Sequence, residues 1–185
     1  MSNKLILIRH GETNHNKKGL LQGMINTKLN EKGKRQSLEV AKKINNLSVT
    51  DISIDGVFCS PLYRALQTYD IIMKNINEKP SSLLTFFDYR LREINIGSLA
   101  NKKKEDVSVD LMNNSPDGEP ATLVMERIKS FINYIKNNFN NKTFLIISHN
   151  YVLKLLISYV EKGFFDEKVI GETMIKNGEL KIVEV

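Results

Sequence analysis

The residues from Lys4 to Asn16, KLILIRHGETNHN, constrain this chain more than any others. Leu5 to Arg9 is apolar up to its last residue and reads as a short buried strand. The chain then turns at once through Arg9-His10-Gly11-Glu12-Thr13. An arginine and a histidine therefore stand side by side at the carboxyl end of a strand. In open α/β sheets that edge is where ligands bind. Much of the remaining sequence reads as a supply of partners for His10.

A polar loop follows, Glu12 to Thr27. Asn30 then has the character of a helix N-cap, with Glu31 in the first turn. Leu38, Ala41, Ile44 and Leu47 recur at spacings of three and predict one helical face. Gly56 to Cys59 is a second short strand. Ser60-Pro61 predicts the next helix start, with serine as cap and proline at the first helical position. Its apolar stripe is Leu62, Ala65, Leu66, Tyr69, Ile72 and Met73. A third strand is expected around Leu83 to Phe87. Leu91 to Asp117 reads as an irregular flap with a short helix, closed by the breaker cluster from Asn113 to Gly118. Val124, Ile128, Phe131, Ile132, Ile135 and Phe139 match a long helix. Thr143 to Ile147 is another buried strand, ended by Ser148-His149-Asn150 and followed by an apolar helix over Tyr151 to Val160. The tail from Glu172 to Val185 predicts a hairpin turning at Asn177-Gly178 through a type I′ turn. Strands alternating with helices predict an α/β fold: a three-layer α/β/α sandwich with a mostly parallel central sheet and an antiparallel edge. The expected organisation is one domain over residues 1–185, with a short flap at about 94–117.

Composition narrows the partners. The chain has 185 residues, 41% hydrophobic and 26% charged, the balance of an ordinary water-soluble core and surface. No apolar run approaches the ~20 residues that a membrane span needs, so no membrane partner is expected. The opening Met-Ser-Asn-Lys enters a strand within a few residues, which leaves no visible targeting segment. A single cysteine, Cys59, excludes an internal disulfide and fits a reducing, cytoplasmic location. The formal charge is +6. Its lysines are dispersed, and the one run, Lys102-Lys103-Lys104, has no interleaved aromatic residues, so nucleic acid is not an expected partner either. Oligomeric state cannot be read from these residues.

His10, Arg64 and His149 share one structural position. Each follows a predicted parallel strand, so all three meet on the same sheet edge. Arg64 and His149 also stand near helix N-termini, where free N–H groups and the helix dipole favour an anion. Arginine suits phosphate because its rigid fork of donors matches the phosphate oxygens. A neutral histidine is a competent nucleophile near neutral pH, provided that a hydrogen bond from its other nitrogen fixes the tautomer. A leaving alkoxide needs a proton, and Glu93, which follows the third strand and borders the flap, is the best-placed acid. Taken singly, each residue has a plainer reading: His149 as a satisfied strand-end histidine, Arg64 as a salt-bridged helix residue, Glu93 as surface charge. Cys59 reads as core packing and His15 as an exposed loop residue. Convergence on one edge is what favours chemistry.

With these residues in place, the chain resembles the histidine phosphatase superfamily, the phosphoglycerate-mutase-like proteins. The Arg-His-Gly-Glu-Thr signature stands at Arg9 to Thr13, with the family's following asparagine at Asn16. Gln22-Gly23 and Leu29-Asn30-Glu31-Lys32-Gly33 follow its next two patterns. Ser60 to Thr68 carries Ser-Pro-Leu-x-Arg-Ala-x-Gln-Thr. Leu91 to Gly97 carries the acid motif, Gly118-Glu119-Pro120 the later helix start, and Ser148-His149-Asn150 the second histidine. The resemblance implies a phosphohistidine at His10 and phosphoryl binding by Arg9, Asn16, Arg64 and His149. It implies a proton donor at Glu93, substrate contacts from Gln22, Gly23 and Asn150, a small phosphorylated metabolite as partner, and neither metal nor cofactor. Asn150 stands where family members carry glycine, with its side chain free to cap the following helix. Leu99-Ala100-Asn101 replaces an aromatic-Glu-Gly. The Arg-x-Tyr-Gly stretch of the true mutases is missing and the flap is short. These departures favour a phosphatase that hydrolyses phosphomonoesters. The alternatives are a phosphoglycerate mutase and a non-catalytic phosphate-binding module.

Overall fold

The structure is a computed structural model that describes residues 2–48, 53–77, 83–108, 110–111 and 115–185. Its first element is the interior strand β1, Lys4–Arg9, whose side chains alternate between the two faces of a sheet. Leu5 and Leu7 enter one apolar cluster and Ile6 and Ile8 the other, all fully buried. That is why the strand reads as a continuous apolar run: both of its faces are covered.

After β1 come a one-turn helix α1, Asn14–Lys17, and the long helix α2, Glu31–Ser48. Strand β2 is Gly56–Cys59, helix α3 is Tyr63–Asn75 and strand β3 is Leu84–Phe87. Three single turns of 3-10 helix follow, at Tyr89–Leu91, Gly97–Leu99 and Lys104–Asp106. Then come α4 (Ala121–Asn138), β4 (Thr143–Ser148), α5 (Asn150–Lys162), α6 (Glu167–Glu172) and β5 (Leu180–Glu184). The sheet runs β3-β2-β4-β1-β5. All neighbours pair in parallel except β1 with β5, which is antiparallel. Leu5, Leu7, Phe58, Phe144 and Ile146 pack under α4 and α5; Ile6, Ile8, Val57, Leu145 and Ile147 pack under α2 and α3. The expected three-layer sandwich with an antiparallel edge is therefore the architecture formed. No described helix is long and apolar enough to cross a membrane.

Several local expectations are corrected. The helix after β2 begins at Tyr63, with Leu62 as its N-cap. The Ser60 hydroxyl does accept from the Leu62 amide at 3.3 Å, but it also sits 2.7 Å from Nε2 of His149. Leu38 is 38% exposed; the buried face of α2 is Ser37, Val40, Ala41 and Ile44. Serine fits that face because its hydroxyl donates back to the Gly33 carbonyl. Strand β3 lies at the sheet edge, with Leu84 and Phe87 more than half exposed at 58% and 54%. The helix after β4 starts one residue early, at Asn150, with His149 as N-cap, so Asn150 does not cap it. The tail is no hairpin. It holds the unforeseen α6, and the residues after Gly178 pair with β1 instead of a neighbouring strand. The Glu179 amide closes the turn on the Lys176 carbonyl at 3.0 Å. Gly178 has φ +67° but Asn177 does not have positive φ, and a type I′ turn needs it at both. Residues 113 and 114 of the breaker cluster lie outside the described residues.

Candidate active site

Parallel pairing brings the ends of β1, β2 and β4 to one edge: Cys59 stands opposite Ile147, and Arg9 opposite Ser148. His10 lies one residue beyond, with its amide on the Ser148 carbonyl at 3.0 Å. The next turn is clamped from two sides. The Gly11 amide donates to the Thr68 hydroxyl at 3.0 Å, and that hydroxyl donates to the Arg64 carbonyl at 2.8 Å. The start of α2 lies against the same turn. A Cβ on Gly33 would fall 2.1 Å from the Glu12 carbonyl oxygen, and one on Gly11 2.3 Å from that of Gly33. Only glycine at both positions allows so close a backbone approach. Asn30 caps α2 as expected, its side chain accepting from the Gly33 amide at 2.8 Å.

His10 is 2% exposed. Its Nδ1 lies 2.7 Å from the Gly11 carbonyl, which can only accept, so Nδ1 carries the proton. Nε2 then holds the lone pair, and the Nε–H of Arg64 donates to it at 3.2 Å. Burial, with Arg64 and Arg9 adding to it, holds the ring well below the ordinary histidine range, so it is neutral at pH 7.

Arg64 is 1% exposed and held on three sides. Besides His10 it donates to the carbonyls of Ile25 and Gly23, each at 2.8 Å. Burial pushes it down to about 10, which leaves it charged. Arg9 donates through Nη1 to the Ile175 carbonyl at 2.7 Å and to Asn150 Oδ1 at 3.3 Å. Its Nε is buried with no partner. An unpaired guanidinium N–H in a buried place is costly, and a ligand oxygen would satisfy it.

Asn16 turns its Oδ1 to the Thr13 amide at 3.1 Å, within a capping box that holds α1. Gln22 is buried, with Oε1 accepting from the Thr13 and Thr27 hydroxyls. Gly23 serves through its carbonyl, and its φ of +50° suits glycine. Glu93 is half-buried, and its carboxylate accepts from the Ile94 amide at 3.1 Å and from the Tyr151 amide, in the first turn of α5, at 3.4 Å. Arg9, His10, Asn16, Gln22, Gly23, Arg64, Glu93 and Asn150 all line one pocket of about 350 Å³.

His149 stands apart. It is fully buried and does not line the pocket surface. Its ring centroid lies 5.1 Å from that of His10, its Nε2 meets the Ser60 hydroxyl, and its Nδ1 has no partner. Burial first, then Arg64 and His10, keep it neutral. His15 is not fully exposed: its Nε2 meets Asn101 Oδ1 at 2.8 Å. Glu12 and Glu119 do not line the pocket. Glu12 pairs with Lys32, and Glu119 with Arg92 and Arg127.

Other residues of the site were not foreseen. Asn177 donates from Nδ2 to the His10 carbonyl at 3.0 Å, and the Gly178 amide donates to the Arg9 carbonyl at 3.1 Å. The pocket walls add Leu20, Leu21, Ile94, Ile96, Tyr151 and Ile170, with Lys104 and Lys154. No short motif marks these positions. The Asn177-Gly178 pair signalled a turn, but nothing in it signalled what the turn would touch.

This arrangement can bind an anion between the buried Arg64 and the half-buried Arg9, beside a neutral histidine with a directed lone pair and a carboxylate. The sequence profile of the histidine phosphatase superfamily, branch 1, matches residues 5–185. A Schizosaccharomyces pombe protein named as a probable phosphatase is 30% identical over 188 aligned positions, covering 98% of this chain and 86% of that protein. A probable phosphoglycerate mutase GpmB of Erwinia tasmaniensis is 29% identical, covering 85% of this chain and 74% of its own length. Among solved structures, the alpha-ribazole phosphatase of Shigella flexneri superposes with a TM-score of 0.78 at 26% identity, covering 97% of this chain and 89% of that one. Bacillus stearothermophilus YhfR gives a TM-score of 0.81 at 24% identity, covering 99% and 91%.

Proposed function

Because the chain belongs to the histidine phosphatase superfamily, branch 1, we propose that it is a metal-independent phosphatase that hydrolyses phosphomonoesters of small metabolites through a phosphohistidine on His10. The observation that carries this reading is the hydrogen bond from Nδ1 of His10 to the Gly11 carbonyl at 2.7 Å, which leaves Nε2 as the nucleophile. In the first step Nε2 attacks phosphorus, an N–P bond forms and the ester P–O bond breaks. Glu93 gives a proton to the leaving oxygen. In the second step water attacks the phosphohistidine, gives its proton to the Glu93 carboxylate, and His10 leaves as the neutral ring. The N–H groups of Arg9 and Arg64, with the Asn16 amide, hold the equatorial oxygens and offset the charge on the transferring group. His149 packs behind His10 without lining the pocket and backs that ring from the buried side.

A chromogenic phosphate ester incubated with a chelator tests the proposal, with trapping of the phosphorylated enzyme. Activity should survive chelation and disappear in His10→Ala. Loss on chelation, or turnover in His10→Ala, would overturn it.

The GpmB relative favours a second reading, a phosphoglycerate mutase. It would need a pocket that keeps the phosphohistidine from water. The short flap and the missing Arg-x-Tyr-Gly stretch argue for hydrolysis instead. A coupled assay primed with bisphosphoglycerate decides: mutase turnover well above hydrolysis would reverse the preference.

A further inference from the structure

We infer that Lys104 and Lys154 form a second anion subsite at the mouth of the pocket, which selects phosphomonoesters whose alcohol part is apolar and ends in a second anionic group. The inference rests on the phosphatase reading of the pocket.

Beside the polar groups around Arg9, His10, Arg64 and Glu93, five aliphatic side chains line the pocket: Leu20, Leu21, Ile94, Ile96 and Ile170. A hydrated polar alcohol gains nothing from such walls, whereas an apolar one does. The same pocket is lined by Lys154 of α5 and by Lys104, which starts the single turn Lys104–Asp106. Both are anchored. Lys154 Nζ donates to the Ile170 carbonyl at 3.0 Å, which leaves two of its three N–H donors. The Lys104 backbone amide donates to the Gly19 carbonyl at 2.9 Å.

Among the described residues, neither lysine forms a salt bridge, although the adjacent Lys103 pairs with Glu105. The two are also close enough to repel each other. Burial lowers the affinity of Lys154 for its proton first, and Lys104 and Arg9 lower it further. Around the whole pocket, Arg9, Arg64, Lys104 and Lys154 face one carboxylate, Glu93. With Glu93 protonated to act as the acid, a bound phosphoryl dianion would offset two of these cations and leave the two lysines unmatched. A second anion on the substrate supplies that match. Lysine is a mobile point charge, so it serves a carboxylate or a phosphate alike.

The test is equilibrium binding of non-hydrolysable alkylphosphonates of increasing chain length, ending either in a carboxylate or in the isosteric neutral carboxamide. At the fitting length the carboxylate should bind the wild-type protein at least about fivefold more tightly than its carboxamide. That preference should shrink in Lys154→Met and in Lys104→Met, with folding checked by circular dichroism. Equal binding of both series at every length, or a preference that survives both substitutions, overturns the subsite. Hydrolysis of the corresponding phosphate esters is followed in parallel. A binding preference without phosphate release would overturn the phosphatase reading and leave the subsite standing. Release without preference would do the reverse.

Discussion

At His10 a single backbone carbonyl decides which nitrogen can react. The Gly11 oxygen takes the proton on Nδ1, and Arg64 faces the lone pair left on Nε2. On the proposed mechanism the complementary decision falls to Glu93, which lines the same pocket. Glu93→Gln should therefore lower phosphorylation of His10 by an alkyl phosphate about 10²–10⁴-fold, the usual worth of a general acid. An aryl phosphate with a good leaving group should lose far less, since a nitrophenolate departs without a proton. Glutamine keeps the size of glutamate, so the difference between the two substrates reports chemistry and not packing. Burst kinetics isolate this step from dephosphorylation. Equal losses in the burst for both substrates would remove Glu93 from the role. Neither Glu12 nor Glu119 is then a ready substitute, because each is already committed to basic partners outside the pocket.

The turn between α6 and β5 acts on the site through main-chain groups. Asn177 and Gly178 bond to the carbonyls of His10 and Arg9, and the Ile175 carbonyl holds the Arg9 guanidinium. Gly178→Ala should be the costlier change in this turn. Its φ of +67° strains any Cβ, and that Cβ would stand 2.5 Å from Cβ of Gln36. Urea denaturation should show a loss of about 1–3 kcal/mol for Gly178→Ala, against about 1 kcal/mol for Asn177→Ala, which gives up hydrogen bonds but no backbone conformation. A smaller loss for Gly178→Ala than for Asn177→Ala would refute the strain argument. This element also marks where reading from sequence stops. Strand β1, the cap at Asn30, Arg64 and Glu93 were legible because each depends on near neighbours: an unbroken apolar run, a cap three residues ahead, a place after a strand. The burial of His149 behind His10, the bond from Arg9 to Asn150 and the docking of Asn177 depend on contacts across more than a hundred residues. Leu38 failed for a related reason. Its spacing fits a helical stripe, but Ser37 occupies the buried side by satisfying its own hydroxyl within the helix.

For the whole molecule, two fully buried neutral histidines make stability depend on pH. His10 and His149 are both held well below the ordinary value of 6.5, burial being the main cause. In the unfolded chain both rings take up protons as pH falls through about 6.5, whereas in the folded protein they do not. Stability should thus be level above about pH 7 and decline below 6.5, at up to about 1.4 kcal/mol per pH unit for each ring. The depressed carboxyls of Glu12, Glu31 and Asp117 titrate at or below their ordinary values of 4.5 and 3.8, so they do not obscure this window. Urea midpoints that stay flat from pH 7.5 to 5 would show that the rings protonate in the folded state. The strand order holds one more consequence, for how the protein is made. Strand β1 is translated first, yet both its neighbours, β4 and β5, come from residues 143–184. A ribosome-bound chain therefore carries His10 at the end of a strand with no sheet partners until nearly all of these residues have emerged. On the proposed mechanism, a nascent fragment that ends before β4 therefore lacks the sheet that would position its nucleophile.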